Sequence, residues 1–313
     1  MARYIVKRIL LIPIIVLVII FVLFSLMYIL PTSFVRLMPT YGGGDALDSI
    51  FTFFGAKNNM LTKYLRYCYN VFFHFDYGRT NTGVDLMESL GPSVNSTLII
   101  LTCSIGAVLL VGIPAGVFTA LRKNRPADRI FNTLSLLFSS IPNYSLALLV
   151  ALIFVLYLGI LPMMNTAAPT RFFMPTLTIA LGGISSIARM TRAAMLDVLE
   201  QPFITALRAK GLKNAGIVYR HALKNAMIPI ISALGGLTAQ LICGTFVVEH
   251  FFNIRGIGFL MLRSVSARSH FEILGCTVIM TLLIVFISLI FDVLSACINP
   301  HIRYRYAKPA NTN

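Results

Sequence analysis

Apolar residues run along this chain in long blocks, with polar residues confined to the stretches between them. Six blocks supply the roughly 20 mostly apolar residues that a membrane-crossing helix needs, at 9–30, 96–121, 131–161, 172–188, 226–248 and 273–291. The third block is longer than one straight crossing requires and contains Pro142, which predicts a kink, a tilt or an interfacial first turn there. The first follows Arg3, Lys7 and Arg8, but its 22 apolar positions exceed a signal-peptide core and no small-x-small site comes after them. An uncleaved anchor is expected. The pattern therefore predicts an all-α polytopic membrane protein with six transmembrane helices.

Composition agrees with the pattern. Of 313 residues, 57% are hydrophobic and 12% are charged, against about 25% charged in ordinary soluble domains. The net charge of +15 could signal nucleic acid, but in a membrane chain Lys and Arg collect on the cytoplasmic side of the spans, and no nucleic-acid partner is expected. An N-terminus and C-terminus in the cytoplasm put most of the 26 Lys and Arg on that side. The expected organisation is an anchor span at 1–30, an extracytoplasmic loop or cap at 31–95, a core of five further spans at 96–298, and a cytoplasmic tail at 299–313. The cap carries "YGGGD" and "FHFDYGRT". Cys68, Cys103, Cys243, Cys276 and Cys297 show no paired or CxxC spacing, so they read as small apolar packers rather than disulfides or metal ligands.

One polar connector is unusual. "ITALRAKGLKNAGIVYRHALKNAMIP", residues 204–229, holds Arg208, Lys210, Lys213, Arg220 and Lys224 and no acid, between two apolar blocks. Pro202 suits the first position of a helix, and Phe203 and Leu207, four apart, share one face. Gly211 is a helix stop, and Asn214 can cap a second short helix through Ile217, Val218, Arg220 and His221 toward Lys224. Two short helices around a glycine turn can lie on anionic lipid, or they can seat an apolar knob of Phe203 and Leu207 in a groove of a soluble partner. The compact knob and the glycine break favour docking, because a membrane-lying helix wants a longer apolar stripe.

In this segment the chain resembles the inner-membrane permease subunits of binding-protein-dependent ABC importers of the dipeptide/oligopeptide/nickel type. Thr205, Ala206, Arg208, Ala209, Lys210 and Gly211 match the T-A-x-A-K-G half of that family's signature. Arg220, His221, Ala222, Leu223, Asn225 and Pro229 match its R-H-A-L-x-N-A-x-x-P half. Similar stretches recur at "FDYGRT", "SSIPNYSLALLVALIFVLYLGILP", "ARMTRAAMLDVLEQPF" and "VVEHFFNIRGIG", where Glu249, Phe252, Gly256 and Gly258 match. The family's proline before the glycine pair is Arg255 here, its acids before the last span are Arg263, Ser264 and the 268–271 stretch, and its terminal D-P-R-I-R reads "NPHIR".

The resemblance implies a type I importer permease whose 200–225 loop carries a coupling helix, with residues 203 to 211 docking on an ATP-hydrolysing subunit. Glu249, Phe252, Gly256 and Gly258 become candidates for an outer gate. The implied partners are a second homologous permease, two ATP-binding subunits, an extracytoplasmic solute-binding protein and membrane lipid. The implied cargo is short peptides, with nickel or another metal chelate, or glutathione, as alternatives. The location is the bacterial inner membrane, and ATP and Mg belong to the partner subunits.

Other chemistry finds less to stand on. No G-x-x-x-x-G-K-[ST] loop exists, so the chain is expected to bind no cofactor and to be a transport subunit, not an enzyme. His74, His221, His250, His270 and His301 lack metal-ligand spacing; Glu249–His250 near His270 reads as a hydrogen-bond network before it reads as a metal gate. Asp292 at the end of the sixth block would be the proton site of a stand-alone secondary carrier, or a structural charge at the cytoplasmic boundary. Arg189 and Arg192 read as snorkelling side chains. Gly182–Gly183 and Gly235–Gly236 allow close helix approach.

Overall fold

The computed structural model describes residues 2–29, 60–78, 80, 83–162, 169–267 and 269–298. About half of the 31–95 cap reading, including "YGGGD", and the whole 299–313 tail lie outside the described residues. Ten helices make up the rest: α1 (Ala2–Ile29), α2 (Met60–Tyr69), α3 (Leu86–Leu121), α4 (Pro126–Ser140), α5 (Asn143–Tyr157), α6 (Phe173–Leu199), α7 (Pro202–Ala209), α8 (Asn214–Phe251), α9 (Ile257–Ala267) and α10 (His270–Ile298). Among the described residues, the fold is all-α.

Four helices are individually long and apolar enough to span a bilayer: α3, α6 with the turn before it, α8 and α10. A fifth crossing results if α4 and α5 are counted as one, and α1 is apolar through Leu10–Leu26. Among the described residues, five of the six expected spans thus correspond to four unbroken helices and one broken pair, while α1 is apolar only over Leu10–Leu26, shorter than a full crossing. Apolarity marks where a helix meets lipid, not where it ends. For that reason α3 starts at Leu86 instead of 96, α6 continues past 188 to Leu199, and α8 begins at Asn214 instead of 226.

Two expectations need correction. The kink at Pro142 is a break: α4 and α5 meet at 108°. Pro142 has no N–H and forces its neighbour out of the α region, so Ile141 is extended (φ −80°, ψ 127°) and the chain restarts in a new direction. The second short helix after the glycine turn does not exist as a separate element. From Asn214 the chain runs as one helix to Phe251, through a π-helical stretch at Ile217–Ala222 and past Pro229, because none of its glycines takes the left-handed conformation that stops α7 at Gly211. Lys213, extended and without a side-chain capping bond, occupies the cap position assigned to Asn214, which is the first helical residue.

Helix α6 is the centre of the bundle, packed on α3, α4, α5 and α8, while α10 closes the other side against α8, α9 and α1. The α3–α6 contact is close because Gly112 and Gly116 lie on it: a methyl group at Gly116 would stand 2.5 Å from the Ala188 carbonyl. Of the two glycine pairs singled out earlier, Gly183 is pressed against Val108 and Gly235 against Phe291, whereas Gly182 and Gly236 have open space beside them. Leucines, phenylalanines and tyrosines on the outer faces, such as Leu110, Leu156 and Tyr157, are more than three-quarters exposed, as surfaces meeting lipid or another subunit should be.

Candidate functional site

Helix α7 stands at one end of the bundle, between the end of α6 and the start of α8. Gln201 is extended and Pro202 opens the helix, so the chain turns sharply from α6 into it. Ile204 is completely buried and α7 packs on the 217–222 turn of α8. Sequence reasoning overlooked Ile204 as an anchor, although it sits three residues before Leu207 on the same side of the helix. Leu207 is itself half-buried against the core, so it is not a free half of a Phe203/Leu207 knob. Phe203, 38% exposed, projects outward together with Thr205, Ala206, Arg208 and Lys210. The outward surface is one aromatic ring among small residues and cations.

The end of α7 is fixed by backbone geometry. Gly211 has φ +79°, its N–H donates to the Arg208 carbonyl at 2.9 Å, and the Leu212 N–H donates to the Leu207 carbonyl at 3.3 Å. This pair of bonds is a Schellman stop, and it requires the left-handed conformation that glycine adopts without strain. Beyond the turn, Arg220 and Tyr219 are exposed on the first turns of α8, His221 is half-buried, and the Asn225 side chain donates to the His221 carbonyl at 3.1 Å. Pro229 lies within α8. A groove of about 600 Å³ lies between the ends of α3 and α6 and the start of α8, with Arg208 of α7 at its edge, lined among others by Leu121, Lys123, Leu199, Glu200 and Tyr219.

The base under α7 is braced by two ion pairs that sequence reading missed. Arg192 forms a bidentate pair with Asp128, at 2.6 and 2.8 Å, and Asp128 also accepts the Asn124 N–H at 2.9 Å. With Asp128 3% exposed, this is a buried, fully bonded carboxylate, and Arg192 is not snorkelling. Lys123 reaches Glu200 at 2.8 Å, next to the start of α7. That hydrogen bond and charge hold the Glu200 carboxyl below the usual range. The pair is fully exposed and contributes little by itself, and it would weaken only as pH falls through the lowered Glu200 value.

At the opposite end, Glu249, Gly256 and Gly258 come together, and Phe252 is buried beside them. The Glu249 carboxylate accepts the Thr97 hydroxyl at 2.7 Å and the N–H groups of Gly258 and Phe259 at 2.8 and 3.2 Å. Thr97 in turn accepts the Ile257 N–H at 2.9 Å. Glu249 thus caps the first turn of α9 from α8, satisfying donors that a helix start leaves unpaired. A side chain at Gly256 would overlap the carboxylate, and one at Gly258 would stand 2.5 Å from the Phe246 Cα. The glycines are needed for space. Thr97, 152 positions from Glu249, carried no sequence signal.

The same end holds the "FDYGRT" element. Gly78 has φ +96° and faces Phe271 at the start of α10, Tyr77 is buried, and the Leu86 N–H donates to the Gly78 carbonyl at 3.1 Å. His250 lies against Phe259 with ring centroids 5.8 Å apart. Among the described residues, no three His, Cys, Asp or Glu side chains converge as metal ligands would.

Comparison with known proteins decides the family. Residues 112–304 match the model of the binding-protein-dependent transport system inner membrane component, and residues 1–109 match the N-terminal model of the same membrane components. The chain belongs to this family. The permease is 31% identical over 308 residues to a dipeptide transport system permease of Bacillus subtilis, covering 97% of this chain and 98% of that one. It is 32% identical over 311 residues to a glutathione transport system permease of Salmonella paratyphi A, covering 97% and 100%. The corresponding Escherichia coli K12 glutathione permease is 30% identical over 308 residues, covering 97% and 100%. As a member of the family the permease is a multi-pass membrane transport subunit, and its family implies ATP-hydrolysing and solute-binding partners.

Proposed function

We propose that this permease forms half of the translocation pathway of an ATP-driven importer of short peptides, with α7 as the helix through which an ATPase drives it. The reading is carried by the likeness to dipeptide and glutathione permeases over nearly the whole chain. The form of α7 supports it: a short helix anchored by Ile204, stopped by Gly211, and turned outward at Phe203. In this reading both termini and α7 face the cytoplasm of a bacterium, and the Glu249–α9 lock faces outside. A second homologous permease completes the pathway, two ATP-binding subunits hold ATP and Mg, and an extracytoplasmic binding protein delivers the cargo. The chain performs no covalent chemistry. Closure of the ATPase pair moves α7, and α8 carries that motion from the docking end to the Glu249 lock, because it runs as a single helix between them despite its π-helical stretch and Pro229.

The test is reconstitution of the whole assembly in proteoliposomes with a labelled dipeptide. Uptake is expected only with ATP and all partner chains present. Uptake by this chain alone, without nucleotide, would contradict the reading and favour a secondary carrier.

A further inference from the structure

The broken pair α4–α5 opens a cleft of about 220 Å³ against α6 and α8. Its walls are Phe138 to Asn143 at the break, Gly182, Gly183 and Ser186 on α6, and Leu237, Gln240 and Leu241 on α8. Ser186 lies at the midpoint of α6, and Gln240 lies well inside the apolar part of α8, so the cleft is at membrane depth.

Three polar side chains meet there without protein partners. Among the described residues, the Asn143 amide, the Ser186 hydroxyl and the Gln240 amide make no hydrogen bond. Asn143 is held in place, since its side-chain nitrogen fills the space that a Cβ at Gly244 would need, at 2.5 Å. The Ser139 and Ser140 hydroxyls donate to the Leu136 carbonyl at 3.1 and 2.8 Å and keep their acceptor lone pairs. The carbonyls that end α4 have no next turn to bond, and Pro142 supplies no N–H. Unpaired amides and non-helical backbone are tolerated at this depth where they are buried in protein or line a water-filled cavity, never against lipid, and the open volume beside these groups fits the second case. The lining also contains no ionisable residue.

We infer that this cleft is a charge-neutral hydrogen-bonding station in the pathway, with Asn143, Ser186 and Gln240 pairing the amide N–H and C=O groups of a peptide in transit. The inference rests on the peptide-importer reading. Side-chain amides and free helix-end carbonyls match a peptide backbone, which offers the same donors and acceptors in every sequence. A station built this way grips the part of the cargo common to all peptides and has no charge with which to select among side chains.

Two measurements on the full assembly test this. With exposed Cys103, Cys243 and Cys297 replaced by alanine, Ser140→Cys and Gln240→Cys should react with a membrane-impermeant maleimide, while Val18→Cys on the outer face of α1 should not. Failure of both cleft positions to label overturns the inference. In proteoliposomes, Gln240→Leu with Ser186→Ala should lower dialanine uptake by about tenfold or more, the value of two lost ligand hydrogen bonds, while ATP hydrolysis stimulated by the binding protein is retained. Gln240→Glu should shift competition toward lysine-containing and away from glutamate-containing dipeptides. Unchanged uptake and unchanged competition sink the station. If the parent assembly moves no peptide at all, it is the importer reading that fails, and labelling at Ser140 and Gln240 still reports whether the cleft is wet.

Discussion

At Glu249 a single side chain joins three parts of the chain: Thr97 of α3, α8 itself and the start of α9. Truncation would strand the Thr97 hydroxyl and two backbone N–H groups in a dry site. Glu249→Ala is expected to cost about 3 kcal/mol, and Glu249→Gln, which keeps one accepting oxygen, about 1 kcal/mol. Thermal unfolding of the purified assembly checks this, and equal losses for the two variants would argue against the cap. The Asp128–Arg192 pair makes a second case. Arg192→Leu leaves a buried, unpaired carboxylate and should cost about 3–5 kcal/mol, while Asp128→Leu with Arg192→Leu should recover much of it. A double variant no better than the single would mean that the pair is not buried as described. Neither network was readable beforehand. Glu249, Gly256 and Gly258 stood out as a motif, but their partner Thr97 and the Asp128–Arg192 pair are joined across 152 and 64 positions, with no spacing rule to link them.

Elements were legible wherever local chemistry decides alone. Pro202 and Gly211 mark α7 because one lacks a hydrogen to donate and the other adopts φ +79° without strain. Legibility failed where a helix continues through polar residues, as α8 does from Asn214, and where a proline changes direction entirely, as at the 108° break before α5. Gly182 was read as a packing residue; packing does explain Gly183, but Gly182 lines the cleft. Within α7 the two apolar faces should separate cleanly. Ile204→Ala removes a fully buried side chain and should destabilise the assembly by about 2–4 kcal/mol. Phe203→Ala should leave stability within about 0.5 kcal/mol yet reduce retention of the ATPase subunits on size-exclusion chromatography. If Phe203→Ala unfolded the chain, the outward face would have been misassigned. Gly211→Ala should cost about 1–2 kcal/mol through its left-handed backbone.

For the whole molecule, apolar blocks and basic connectors were enough to read an all-α membrane protein, and residues 205–229 were enough to place it among transport permeases, which the comparisons bear out. The broken span and its neutral cleft needed three dimensions, because Asn143, Ser186 and Gln240 are far apart in sequence and ordinary in type. The architecture joins α7, the proposed lever, at one end to the Glu249-capped turn at the other through α8, with the neutral cleft in the wall between. The central claim is that a separate motor grips the lever. A photo-crosslinking amino acid placed at Phe203, in membranes containing all the partner chains, tests it most directly. The account predicts a covalent adduct with an ATP-binding subunit whose yield changes on adding ATP and Mg; adducts with lipid alone, in either nucleotide condition, would contradict it.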